Sequence, residues 1–226
     1  MGTPRPTDPL GAEWVLLLFV VLIGTLAWVN AISPRKWELL RTSVLRLRLG
    51  RQTMREDLNL RDRTLIALLA AGCISMGLFL HQAGVHFGWL RPAWWLAIEL
   101  MAVLFAAMLA QLLLLRVATI VFRADGGAQE YGFTQVLLLI ANGLVLVPLD
   151  LLMACWPSLR TEMLLAGMLL TGVLLVLRWV RAVAIGNGSG TGRGYVFLYL
   201  CALEILPFAL LISSLQQALP PDVRPH

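Results

Sequence analysis

The chain has 226 residues, of which 59% are hydrophobic and only 14% charged, with a mean hydropathy of +0.79 and a formal net charge of +5. A soluble domain is closer to half apolar and a quarter charged, so this composition excludes a globular enzyme or binding module wrapped in a polar surface. It also argues against nucleic acid as the partner of the positive charge, because half of the 18 basic residues fall in one stretch between two apolar blocks, where anionic lipid headgroups balance them.

The first predicted element, Trp14 to Ile32, is an apolar block near twenty residues long. At about 1.5 Å per residue such a helix crosses a hydrocarbon core of roughly 30 Å. A cleaved signal peptide is the rival reading, but only Arg5 precedes the block and the positive charges follow it, so it is expected to stay as a helix inserted N-terminus out. The loop after it, residues 33–63, carries Arg35, Lys36, Arg41, Arg46, Arg48, Arg51, Arg55, Arg61 and Arg63. Within it Trp37, Leu40, Val44 and Leu47 share one helical stripe, with Pro34 placed to open a helix and Gly50 to close it. This predicts a basic amphipathic helix on an anionic inner leaflet, Arg41 and Arg48 flanking its apolar stripe, and the same surface would serve a docking protein.

Four blocks follow at Thr64 to Gln82, Pro92 to Leu115, Phe133 to Cys155 and Met163 to Ile185, and a sixth at Tyr195 to Ala218. None alternates polar with apolar over about ten residues as a barrel strand would, so all six are read as helices. The expected fold is an all-α membrane protein, a six-transmembrane-helix bundle forming a single domain over 1–226. In the third block Ala102, Ala106 and Ala110 make a smooth strip of the sort that lets helices pack closely inside a bundle, with homo-oligomerisation left open. The run "GNGSGTGRG", Gly186 to Gly194, has neither dinucleotide-loop nor phosphate-loop spacing and reads as a flexible connector.

Basic residues near helix ends stay in the cytoplasm. Placing the loop 33–63, Arg116, Arg123, Arg178, Arg181 and Arg193 inside leaves only Arg5, Arg91, Arg160 and Arg224 outside. Both termini are therefore expected to be periplasmic, in a bacterial inner membrane. Trp14, Trp89, Trp94, Trp95 and Trp156 fall at the outer helix ends, where amphipathic rings sit among headgroups, and Trp28, Trp37 and Trp179 lie toward the inner side.

Familiar chemistry finds little purchase. A haem between helices needs facing histidines, whereas His81 and His86 share one helix end and His226 is in the tail. No HExxH, GxSxG or GxGD pattern occurs, and Cys73, Cys155 and Cys201 show no CxxC spacing. No cofactor, metal or catalytic residue is expected. What remains is a sparse set of intramembrane polar groups, each costing on the order of 2.5–3.5 kcal/mol if left in lipid. Glu99 and Asp150 lie within roughly 10 Å of the outer surface, so water is expected to reach both. Glu204 is deeper, roughly 14 Å from the inner end of its helix, with Pro207 beside it as a kink and Pro148 as the kink of the fourth helix. Arg178 is the counter-charge closest in depth, so the candidate cluster is Glu204 and Arg178 with Asn142 as a third member. A neutral, protonated Glu204 bonded to a carbonyl is the competing arrangement.

The segments "SPRKWELLRTSVLRLRLGRQTMREDLNLRDRT", "LIANGLVLVPL", "LRWVRAVAIG" and "YVFLYLCALEILPF", in this order, resemble the Bacteroidetes integral-membrane family known as domain of unknown function 4271. The glycine-rich connector before Tyr195 departs from the shorter, more polar link expected of that family. The resemblance implies a multi-span inner-membrane protein of an envelope with two membranes and brings no activity, substrate or cofactor. Two functions fit the residues: a non-catalytic subunit or scaffold in envelope biogenesis or secretion, docking through its basic loop to membrane-protein partners, or a proton-coupled carrier of a small solute in which Glu204 titrates.

Overall fold

A computed structural model describes residues 13–34, 37, 38, 40, 63–122 and 127–188. These form five long helices and no strand: α1 Glu13–Ile32, α2 Arg63–His86, α3 Trp94–Phe122, α4 Gly127–Cys155 and α5 Arg160–Gly188. Each contains a window long and apolar enough to cross a membrane. With no water in a bilayer to satisfy backbone groups, the intrahelical ladder is the arrangement that lets such a segment bury its own amides. The sixth predicted block, 195–218, lies outside the described residues.

The helices overrun the apolar blocks that announce them. α2 continues a turn past the predicted Gln82 to His86, α3 ends at Phe122 rather than Leu115, and α4 begins at Gly127 rather than Phe133. Hydropathy marks where lipid ends, whereas the hydrogen-bond ladder ends only where caps or turns stop it. Between α2 and α3 the stop is Gly88, whose φ of 73° lies in the left-handed region, while the amides of Trp89 and Leu90 both return to the Gly84 carbonyl at 2.8 and 3.0 Å. Between α4 and α5 it is a single 3-10 turn, Pro157–Leu159, and Arg160 Nε ties the corner by donating to the Met153 carbonyl at 3.0 Å.

Contacts along the helices fix their directions. α1 runs antiparallel to α2, with Val29 near Leu65 at one end and the Trp14 ring edge-on to His81 at the other. α2 and α3 are antiparallel, and a side chain at Gly77 would strike the Met101 backbone. α4 and α5 form an antiparallel hairpin pinned by Thr171 and Asn142. α2 and α4, by contrast, are parallel neighbours: a Cβ on Gly143 would collide with the Gly72 backbone, and one on Gly72 would come within 3.3 Å of Ile140 Cα. Small residues at such a crossing let dispersion contacts act over the full helix length, which is how helices associate where lipid is as apolar as the protein.

This parallel pair is the core. About two thirds of the apolar window of α2 and over half of that of α4 are buried (67% and 56%), against 22% for α1 and 11% for each of α3 and α5. Phe19 and Leu22 of α1 pack with Leu78 and Val147 at one flank, and Phe79, Leu146, Met153 and Leu164 close the other. The outward faces of α1, α3 and α5 leave Leu17, Val20, Leu113, Leu165 and Leu169 60–72% exposed among the described residues. That surface is what a hydrocarbon solvent requires. The alternation of directions gathers Trp14, Trp89, Trp94, Trp95 and Trp156 at one end of the bundle, all but Trp14 more than half exposed. Arg63, Arg116, Arg178 and Arg181 fall toward the other end.

Candidate functional site

The buried polar side chains sit where the two central helices meet. On α2, Ser75, Gln82 and His86 follow one another at seven- and four-residue intervals and so share a face. On α4, Gly143, Val147, Asp150 and Ala154 make the matching face, turned toward α1 and α2. Asp150 has no exposed surface, and Ser75, His81 and Gln82 have at most 1%. The Ser75 hydroxyl donates to Asp150 Oδ2 at 3.0 Å, and Gln82 Nε2 donates to the backbone carbonyl of Asp150 at 3.3 Å. Because the Gln82 amide nitrogen faces that carbonyl, its oxygen is turned away from it. Asp150 Oδ1, Gln82 Oε1 and His81 Nδ1 are buried without a hydrogen-bond partner among the described residues. At the rim the exposed His86 Nε2 lies 3.3 Å from Thr161 Oγ1 of α5.

Two further polar pairs join helices elsewhere. Gln135 Nε2 donates to Gln111 Oε1 at 2.6 Å, linking α4 to α3 toward the end opposite the tryptophans, and Thr171 donates to Asn142 Oδ1 at 3.2 Å. Each satisfies an amide or hydroxyl that would otherwise cost stability in an apolar medium.

Asp150 departs from the sequence reading: it is not wet. Depth along the helix sets the distance to the surface, but α1, α2 and the flanking turns of α4 cover the side chain laterally and exclude water. Glu99, at a similar depth on α3, is exposed among the described residues. Asn142 is buried and bonds to Thr171, two helical turns before Arg178 on α5; Arg178 is half-buried and has interactions of its own. Glu204 and Pro207 lie outside the described residues, so the Glu204–Arg178 pair does too. α4 is helical straight through Pro148, which is exposed; its missing N–H leaves the Leu144 carbonyl without the usual helix donor.

Trp37 and Leu40 of the basic loop also differ from expectation. Leu40 is 5% exposed and packs with Val29, Leu65 and Leu68, with Trp37 against the same cluster, so this first part of the stripe covers the bundle's own end rather than lipid. Arg41, Val44, Leu47 and Arg48 lie outside the described residues. Ala102, Ala106 and Ala110 are exposed among the described residues. Ser75 and Gln82 escaped the sequence reading as site residues, and Arg181, read there only as an inner-side charge, is buried. The signal for the first two was present, since polar residues at a seven-residue spacing in an apolar helix mark one face.

Chemically, the node offers an acid rather than a nucleophile. Ser75 already donates to Asp150 and has no base, and no three His, Cys, Asp or Glu side chains converge as a metal site among the described residues. Residues 15–215 match the family described as Domain of unknown function (DUF4271). Comparison with curated proteins and with solved structures gives no match.

Proposed function

The chain belongs to the DUF4271 family, and from that premise we propose that it is a non-catalytic subunit or scaffold of a bacterial inner membrane, with six spans, both termini periplasmic and a role in envelope biogenesis or secretion. One observation carries the reading: the polar groups inside the described bundle bind helix to helix, while a smooth strip for close helix approach, Ala102, Ala106 and Ala110 of α3, is exposed among the described residues. Small residues at four-residue spacing suit a neighbouring transmembrane helix better than they suit lipid, against which larger side chains make more contact. The basic loop, anchored to the bundle at Trp37 and Leu40, supplies a cytoplasmic surface for anionic lipid or partner. Its charge excess over the opposite side and the tryptophan belt support the orientation.

The test is photo-crosslinking of the full chain in native membranes from a reactive residue at Ala106. A defined adduct with another membrane protein is expected. Adducts with lipid alone defeat the proposal, and an adduct to residues 195–218 assigns the strip to the chain's own sixth segment. A proton-coupled carrier is the second reading. Asp150 favours it by placing an acid in the central interface, and proton flux in liposomes that requires Asp150 would establish it over the scaffold.

A further inference from the structure

We propose that Asp150 is a proton-binding site in the α2–α4 interface, holding one exchangeable proton on Oδ1 with Gln82 Oε1 as its acceptor and reached from the tryptophan-rich end of the bundle. The inference holds whether the chain acts as a scaffold or as a carrier.

The hydrogen-bond inventory comes first. Ser75 is the only described side chain bonded to the carboxyl group, and it occupies Oδ2. Oδ1 and Gln82 Oε1 are both acceptors, both fully buried, and neither faces a donor. Two ionised or neutral acceptors in one dry interface are mutually unfavourable, and each uncompensated group costs about 1–3 kcal/mol. A single proton on Oδ1 turns that acceptor into a donor, and Gln82 Oε1, the unsatisfied acceptor of a side chain already bonded to the Asp150 backbone, is the group it serves. Among the described residues, the ionisable groups around this end are Glu13 on α1, His81 and His86 on α2, Arg91 in the turn after it, Glu99 on α3, Cys155 at the end of α4, and Arg160 and Glu162 on α5. None of them bonds to Asp150; the Arg160 Nε is engaged by Met153 and the His81 ring lies against Trp14. A carboxylate without a paired cation in so apolar a setting gives way to its neutral form.

Access follows from the α2 face. From the exposed His86, Gln82 lies one turn deeper, and Ser75 two turns deeper again beyond the buried Phe79, so the polar side chains of this face lie on the rim side of the glycine crossing. Immediately below Ser75 the line stops: Gly72 and Gly143 bring the two backbones into contact and leave no room for a side chain or a file of water. Polar side chains therefore lead toward the site from the rim side and backbone contact closes the other side, a well for protons and not a passage.

Infrared spectroscopy of the full chain in lipid nanodiscs tests this. The wild-type protein should show, at neutral pH, a carboxylic-acid carbonyl band that is absent from Asp150→Asn. In Gln82→Leu that band should move to the frequency of a less strongly hydrogen-bonded acid, and its exchange in heavy water should slow by roughly tenfold or more. Gln111→Leu, which breaks a polar pair toward the sealed end, should leave band and exchange rate unchanged. A second measurement needs no variant: a hydrophobic carbodiimide, which adds to protonated carboxyls, should label Asp150 in the wild-type chain as read by mass spectrometry. Absence of the acid band at neutral pH, its loss on adding sodium ions, equal slowing in Gln111→Leu, or adducts confined to exposed carboxyls such as Glu99 would each overturn the proposal.

Discussion

The parallel pair α2–α4 and the shell of α1, α3 and α5 are built from similarly apolar segments that face different solvents. Inside the pair, backbones touch at Gly72 and Gly143, and every buried acid or amide is set against a neighbouring helix. In the shell, large aliphatic side chains are mostly uncovered by the described residues, such as Leu169 at 72% and Leu113 at 65% exposure. In water both regions would be driven together by the same apolar burial. In lipid that drive is absent between helices, so close fit and polar bonds decide which helices become central. The two small-residue sites make the point: Gly72–Gly143 is consumed inside the fold, while the alanine strip of α3 is left on its surface.

The comparison can be broken most severely at the glycine crossing. Gly143→Leu places four carbons against the Gly72 backbone, and overpacking of this kind costs about 1–3 kcal/mol even where flexible side chains, not backbone, must yield. Loss of the folded bundle is expected, read as collapse of the unfolding transition in mild detergent. Gly24→Leu on α1 is the control, because nothing lies within 4 Å of a Cβ there, and it should leave that transition in place. Next in size is Leu169→Asp on the outer face of α5. Near the middle of a span an uncompensated aspartate costs about 2.5–3.5 kcal/mol, so reduced membrane insertion in a translocation assay is expected. If Leu169→Asp inserts normally while Gly143→Leu also folds, the division into core and shell is wrong.

How much of this was legible beforehand depends on which property a residue's role rests on. Helix existence rests on hydropathy summed over some twenty positions, and the five described spans all appear where the apolar blocks predicted them. Helix ends rest on local backbone events such as the left-handed Gly88, which hydropathy does not register. The candidate site rests on who lies beside whom. Depth was misleading for Asp150, which is buried while Glu99 at a similar level is exposed, because lateral packing and not depth decides which side chain is covered. The same gap concealed the direction of Ala102, Ala106 and Ala110: spacing identifies a smooth face without saying what it meets. Ser75 and Gln82 could have been found by asking which polar residues share a stripe, a question periodicity does answer.

A smaller effect sharpens the polar side of the contrast. Gln135→Leu removes one hydrogen bond of Gln111 at the α3–α4 contact. Interhelical bonds in membranes average about 0.6 kcal/mol and reach about 1.7, since the separated helices find other partners. A double-mutant cycle with Gln111→Leu, measured by reversible unfolding in detergent, should give a coupling in that range. Strict additivity would show that this pair is incidental to the packing of α3.

The smallest expected change in stability comes with the clearest functional consequence. Ala106→Leu adds three carbons to the outward strip of α3, where Ala102, Ala106 and Ala110 are all exposed and no described helix lies over them. If lipid is what covers that face, a larger aliphatic side chain is as well solvated as alanine, and neither unfolding nor complex formation changes. If a partner helix lies along it, the added volume holds the two helices apart and forfeits the close contact on which association depends. Unfolding of the isolated chain should then be unaltered, within about 0.5 kcal/mol, while recovery of the partner in mild detergent falls. Reduced recovery with unchanged stability is the expected outcome. A matching loss of stability would instead place the strip inside the chain's own bundle, covered by residues 195–218, and would move α3 from the shell toward the core.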